Sequence, residues 1–367
     1  MANLTELRDT LSHEGPFASV YLDASHDTED AAKLTELRWR AAQDGLAALE
    51  ASEAVLDVLA EAIDRPPAVG RAGRLLVATA DGVLVDEYLA EPPAQLAVRV
   101  SSMPYLLPLA DWRGNEVPHV AVAIDQTGAD LLAVDANGSM LTEEVAGRDH
   151  PVHKVRAGGW AHLNIQRRAE ETVRRNVTDV AAEVASLAGR TGARLVAVAG
   201  DPRARSQLRE ALPENVRHLV AEIGHGRAED PSHHTVDSAI TELLADRRRA
   251  ELDEMLDRLH SASGSPGLAV EGLPDTTGAL RDGNVSVLLI DAQTLDDRTV
   301  WTATEHTMVA TSRQALHDVG VSDRGEIRAD EALPVAAVMS GAEVIASFGG
   351  EPEFKFAGGV GALLRHR

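Results

Sequence analysis

Cysteine is absent from the 367 residues, which excludes a disulfide framework and a thiolate metal site. Lysine is nearly absent as well, with 3 lysines against 32 arginines, a compositional bias that carries no functional information. No window approaches the roughly 18 consecutive apolar residues of a membrane span. The opening "MANLTELRDTLSHEG" has neither the basic stretch nor the apolar stretch of a secretory signal, so a soluble, cytoplasmic protein is expected. There is no GxxxxGK[ST], no GxGxxG after a strand, no GxSxG and no HExxH, which removes the common sequence evidence for a phosphate loop, a dinucleotide fold, a nucleophile elbow or a zinc helix. The net charge of −23 argues against a general nucleic-acid binder, because that activity needs clustered cations.

What is present is enough to build a core: 44% of residues are hydrophobic and 25% charged. At this length two or three domains are expected. The chain reads as mixed α and β throughout. "FASVYLDA" (Phe17–Ala24) predicts a strand. The stretch after it predicts a helix with Leu34, Leu37, Ala41, Leu46 and Leu49 on its apolar face. A second helix is expected at Glu53–Ile63, then two strands joined by Asp81-Gly82. Leu109–His119 is rich in turn residues and marks a first domain boundary. Three meander strands follow, turning at Thr127-Gly128 and Asn137-Gly138. A long helix begins after Gly159 and ends near Gly189, with apolar residues at Val173, Val177, Val180, Val184 and Leu187. Arg194–Asp201 and Val216–Ile223 predict strands around a helix opened by Pro202, and Thr235–His260 predicts a long charged helix. Ser261–Gly267 reads as a linker. The last third alternates helix and strand. The expected domains are 1–117, 118–262 and 263–367.

Charge is unevenly spread. Residues 1–117 carry 9 basic and 20 acidic side chains, whereas "KVRAGGWAHLNIQRRAEETVRR" (Lys154–Arg175) carries 6 and 2. Glu170 and Glu171 stand four residues before Arg174 and Arg175, the favourable order for neutralising them. The cations left over are Lys154, Arg156, Arg167 and Arg168, beside Gly158 and Gly159, which give the backbone unusual freedom. A surface loop with a tucked tryptophan explains the same residues. His150, His153 and His162, and the pair His233-His234, lack metal-ligand spacing and read as ordinary histidines. Arg247-Arg248-Arg249 lies among Glu251, Asp253 and Glu254 and predicts a salt-bridged helix surface. Gly358-Gly359-Val360-Gly361 is a glycine cluster and weak evidence for a phosphate cradle.

"RAGGWAHLNIQRRAEETVRRNVTDVAAEV" resembles the basic Gly-Gly-Gln loop and Arg-rich helix in the middle domain of archaeal and eukaryotic class 1 release factors, with Trp160 where the glutamine would stand. "TTGALRDGNVSVLLI" resembles the start of the C-terminal domain of those factors and of Pelota, and "FKFAGGVGALLRHR" resembles their ending. Within that superfamily the similarity is nearest to the Balon-type ribosome hibernation factors.

The resemblance implies an α/β (mixed α+β) chain of three domains in release-factor order. The first belongs at the decoding centre and the second reaches the peptidyl-transferase centre. The last resembles kink-turn-binding ribosomal proteins and contacts a translational GTPase. The implied partners are the 70S ribosome, through ribosomal RNA at its A site, and elongation factor Tu, with no DNA, membrane, metal or cofactor. The implied RNA-binding residues at the tip are Lys154, Arg156, Gly158, Gly159, Trp160, His162, Arg167 and Arg168. The nearest match to a codon-reading loop is "KLTELRWR", giving Lys33, Arg38 and Arg40 as decoding-centre candidates that are equally ordinary helix-surface charges. Tryptophan has one donor and no acceptor, so the expected protein is a non-catalytic factor that occupies the A site of idle or stalled ribosomes. The alternatives are a peptidyl-tRNA hydrolase or rescue factor acting through the same tip, and an acidic interaction protein that has left the ribosome.

Overall fold

The structure is a computed structural model of the chain. It describes residues 4–27, 30–64, 72–89, 91–115, 117–136, 138, 140–146, 160–223, 233–263, 268–349 and 356–366, without the side chains of 5, 114, 115, 146, 160–172, 233–237, 260, 262 and 263. The fold is mixed α/β with several sheets, divided into two compact units, Met1–Asn115 with Glu254–Arg367, and Glu116–Asp253.

A 3-10 turn at Thr5–Leu7 leads into α1 (Arg8–Leu11), β1 (Phe17–Asp23), α2 (Ala31–Ala48), α3 (Glu53–Ile63), β2 (Gly73–Thr79), β3 (Gly82–Leu89), β4 (Ala97–Ser101) and α4 (Leu107–Asn115). The strands form an antiparallel sheet in the order β3-β2-β1-β4. Alternation along β1 sends Phe17 and Tyr21 into one core and Ala18, Val20 and Leu22 into another, so the strand is buried on both faces. Helices α2 and α3 cover the second face through Ala42, Leu46, Val55 and Leu59. Ser52 caps α3, its hydroxyl accepting from the Val55 amide at 3.4 Å. The buried Arg74 donates to Asp86 at 2.8 and 3.0 Å and to the Ala62 carbonyl at 2.8 Å, and its guanidinium lies over the Tyr88 ring at 5.1 Å.

Two expectations are corrected in this region. Leu34 and Leu37 are 39% and 49% exposed, while Ala31, Ala42 and Leu46 form the buried face of α2. Gly45 sets this seating, because a Cβ there would come within 2.7 Å of Val98 on β4. The turn-rich stretch at 109–119 contains most of helix α4, in which Leu107, Leu109 and Ala110 are fully buried. Pro108 is tolerated because it lies in the first turn, where no intrahelical donor is needed.

The second unit holds β5 (His119–Ile124), β6 (Gly128–Val134), β7 (Met140–Ala146), α5 (Trp160–Thr191), β8 (Leu195–Gly200), α6 (Pro202–Ala211), α7 (Glu214–Arg217), β9 (Val220–Glu222) and most of α8 (His233–Ser263). Its sheet runs β7-β6-β5-β8-β9, antiparallel from β7 to β5 and parallel from β5 to β9. Helices α5 and α6 pack on one face, and Ala239, Ile240 and Leu243 of α8 pack on the other. The expected strand at 216–223 is split, because Pro213 opens the short α7 before β9 can begin. Arg247 pairs with Glu251 at 3.0 Å and Arg249 with Asp246 at 3.6 Å, the salt-bridged surface expected for this helix.

The last third contributes β10 (Ala269–Glu271), α9 (Leu273–Arg281), β11 (Val285–Asp291), α10 (Ala292–Leu295), β12 (Thr299–Ala303), β13 (Val309–Ala310), α11 (Arg313–His317), β14 (Asp323–Arg328), α12 (Ala329–Ser340), β15 (Glu343–Ser347), a 3-10 turn at Ala357–Gly359 and β16 (Val360–Leu364). These strands make a mixed sheet β10-β16-β11-β15 and a small sheet β13-β12-β14. Helix α12 is buried on all sides from Ala329 to Val338, the mark of a helix at the centre of a core. One apolar cluster joins Leu4, Leu11, Tyr105 and Leu107 to Leu333, Val335 and Val344. The Arg8 Nε donates to the Val338 carbonyl at 3.0 Å, and Arg99 lies 3.7 Å from the buried Glu331. Burial pushes the Glu331 carboxyl above its ordinary range, and Asp330 adds to this. The Ser101 hydrogen bond and the Arg99 and Arg328 charges pull the other way without cancelling it.

Candidate functional site

The site indicated by the sequence lies at the head of α5, a helix of 32 residues whose first residue is Trp160. Val177, Val180, Val184 and Leu187 of this helix are buried against Val120, Val122 and Ile124 of β5 and Leu131 of β6. The helix continues past the expected Gly189 to Thr191. Gly189 has helical geometry and open space at its Cβ position, whereas Gly192 takes the left-handed conformation at φ 64°. The Ala193 amide then donates to the Ala188 carbonyl at 2.9 Å, closing the helix end. Arg190 ties this end to β7 through Glu143 at 2.6 Å.

Halfway along α5 stands Asn176, 3% exposed within the valine face. Its side-chain amide donates to the Gln126 carbonyl at 3.3 Å. Gln126 lies in the β5–β6 turn, where the Asp125 carboxylate accepts from the Thr127 amide and hydroxyl, both at 2.6 Å, and from the Gly128 amide at 2.9 Å. Burial raises the Asp125 pKa, but the Thr127 and Gly128 hydrogen bonds outweigh it, so the carboxyl sits below its ordinary range. Beside this turn, at the C-terminal ends of β5 and β8, is a cleft of about 450 Å³ lined by Asp125, Thr127, Asp130, Glu144 and Gly200. Its carboxylates make it unsuited to phosphate.

Lys154, Arg156, Gly158 and Gly159 lie outside the described residues, as do His150 and His153. Trp160, His162, Arg167 and Arg168 are placed on α5 by its backbone. Arg174 and Arg175, the two residues just before Asn176, are exposed. On α2, Lys33 is exposed, Arg38 is paired with Asp23, and Arg40 is paired with Glu36 at 3.0 Å. His233 and His234 are the first two residues of α8. Among the described residues there is no group of three or more metal-type side chains, and no helix is long and apolar enough to cross a membrane.

The glycine cluster at 358–361 has a packing explanation. Gly359 adopts φ 77°, and a Cβ there would lie 2.5 Å from the Leu295 amide nitrogen and 2.8 Å from the Thr294 carbonyl carbon. The 3-10 turn therefore presses its backbone onto α10, which leaves no room for a phosphate at that glycine. Asn176 was missed by sequence reasoning. The available signal was a single polar residue on the apolar face running from Val173 to Leu187.

Comparison with known proteins defines the class first. The model of the bacterial archaeo-eukaryotic release factor family 2 matches residues 118–265, which include α5 and its sheet. Over the full length, the chain is 35% identical across 364 residues to the uncharacterized proteins Rv2629 and MT2704 of two Mycobacterium tuberculosis strains, covering 98% of this chain and 96% of theirs. The chain therefore belongs to one family with these two mycobacterial proteins, and its residues 118–265 to the bacterial archaeo-eukaryotic release factor family 2. Among solved structures, archaeal Pelota, described as ribosome-bound with ABCE1, aligns over 100% of this chain and 95% of its own at 15% identity and a TM-score of 0.42.

Proposed function

We propose that the protein is a ribosome-associated translation factor that occupies the vacant A site of idle or stalled ribosomes and does not release the peptide. The observation that carries this reading is the start of α5 at Trp160, directly after Gly158-Gly159. In the class 1 release factors that the chain resembles, a long Arg-rich helix follows the basic Gly-Gly-Gln loop, and here the residue after the two glycines is an indole. An indole lacks the acceptor needed to hold an attacking water, while its ring offers a stacking surface for an RNA base worth about 1–3 kcal/mol.

Lys154, Arg156, Arg167 and Arg168 then supply the cations that sit against ribosomal RNA phosphates, with His162 as a further RNA contact at the tip. Residues 118–262 reach the peptidyl-transferase centre, residues 1–117 the decoding centre, and residues 263–367, as a kink-turn-protein-like domain, face elongation factor Tu. The pairing of Arg38 and Arg40 with carboxylates supports contact independent of codon at α2, where Lys33 and Arg40 are exposed.

Two assays test the reading. Co-sedimentation with 70S ribosomes is expected for the parent and is expected to collapse when Lys154, Arg156, Arg167 and Arg168 are changed to Glu. Unchanged binding would remove the tip from the interface. On programmed ribosomes carrying peptidyl-tRNA, no release above background is expected. Robust turnover would replace the plug with a hydrolase acting through the same tip.

A further inference from the structure

The valine face of α5 is poor at fixing direction. Val173, Val177, Val180 and Val184 repeat at spacings of 4, 3 and 4, so similar side chains meet the sheet after small rolls or tilts of the helix. Apolar contact of this kind is non-directional. The C-terminal end is held by the Gly192 turn and by Arg190 on Glu143. Asn176 is the one buried polar side chain on this helix among the described residues. Its acceptor belongs to a turn made rigid by the three hydrogen bonds to Asp125.

Asn176 lies 16 residues from Trp160 and 15 from Thr191, which is about 24 Å and 22 Å of helix rise. With the lower end held, a sideways shift of about 1 Å at Asn176 becomes about 2 Å at Trp160. We propose that Asn176 is a positioning residue: its hydrogen bond to Gln126 aims the head of α5, and so sets where the tip residues meet their target. The aiming contact itself depends only on the structure, whereas its effect on binding rests on the ribosome reading above. A buried polar group that must find its partner selects one arrangement among many apolar ones, and an error in aim of an ångström or two is enough to spoil a stacked contact.

The test exploits the absence of cysteine. Ala161→Cys and Thr142→Cys place two spin labels on α5 and β7, and pulsed electron resonance reads their separation in the free protein. A single narrow distance is expected in the parent. Asn176→Leu, with Asn176→Ala alongside in case Leu perturbs packing, is expected to broaden or displace that distance by about 2 Å. Urea unfolding of the unlabelled Asn176→Leu protein is expected at the parent midpoint or above it. On ribosomes, the same variant is expected to lose several-fold in co-sedimentation. An unchanged distance distribution overturns the aiming role, and so does unchanged ribosome binding by a variant whose distance has moved. If the parent itself does not co-sediment, the ribosome reading fails, while the distance measurement still decides whether Asn176 aims the helix.

Discussion

Replacing Gly359 with alanine separates a glycine needed for close packing from one that merely makes a loop flexible. Gly359 has φ 77°, and the added Cβ would meet Leu295 N at 2.5 Å, Thr294 C at 2.8 Å and Asp291 O at 3.0 Å. All three are backbone atoms, so none can rotate away. The left-handed conformation alone costs alanine about 1 kcal/mol. Moving the turn off α10 disturbs the fully buried Val360 and Ala362, an overpacking cost of about 1–3 kcal/mol. Gly359→Ala is therefore expected to cost about 2–4 kcal/mol. Gly283 provides the control, since it has φ 64° with nothing within 4 Å of its Cβ position. Gly283→Ala is expected to cost only the conformational term, about 1 kcal/mol. Urea unfolding followed by tryptophan fluorescence suits the comparison, because Trp39, Trp112 and Trp301 all lie in the unit that contains both glycines. Equal destabilisation by the two substitutions would refute the close approach and would return the cluster to the status of a pliable loop.

Three further outcomes are expected. Glu331→Gln raises the thermal midpoint at pH 7 to 8, because burial penalises the charged carboxyl that the glutamine lacks. The sign follows from a folded pKa above the usual 4.5, so the gain shrinks as pH falls toward that value, and a gain that grew on acidification would contradict it. Arg74→Met costs about 3 kcal/mol in urea unfolding by removing the guanidinium from Asp86, and Arg74→Met with Asp86→Leu recovers most of the loss; no recovery would deny that the charge left behind is the cause. Trp160→Ala weakens ribosome binding roughly 5- to 150-fold with little change in stability, measured by co-sedimentation titration, and an unchanged affinity would exclude stacking.

The sequence made the regular elements legible where a single local signal decided them. Helix α3 starts and stops at the expected residues because Ser52 caps it and its apolar spacing is regular. The β2–β3 hairpin turns where Asp81-Gly82 indicated. Legibility failed where a contact distant in sequence decided. Leu34, Leu37 and Ala41 match a helical face as well as the residues that are buried, and the buried face is the one that brings Gly45 close to Val98 and Ala42 and Leu46 into the core with Val55 and Leu59. At 109–119, Gly114 and Asn115 were turn signals in sequence, yet they end a helix whose leucines are buried by residues from the far end of the chain. At the site, charge and glycine located the head of α5, and the resemblance gave it a task. Asn176 was not found, because a lone asparagine in a valine stripe reads as a defect until its acceptor 50 residues away is seen.

The shared core of the first and last thirds has a consequence for synthesis. Phe17, Tyr21, Leu75 and Val77 belong to the same apolar cluster as Leu288, Leu333 and Val344. Those partners leave the translating ribosome only after residues 116–253 have emerged. At about 5–20 residues per second, the nascent N-terminal sheet waits roughly 12–50 s with one apolar face uncovered. The middle unit, a compact unit of 138 residues, is able to fold during that interval. A chain truncated before α12 would keep its sheet residues and lose the surface that closes over them, which makes such fragments natural clients for chaperones.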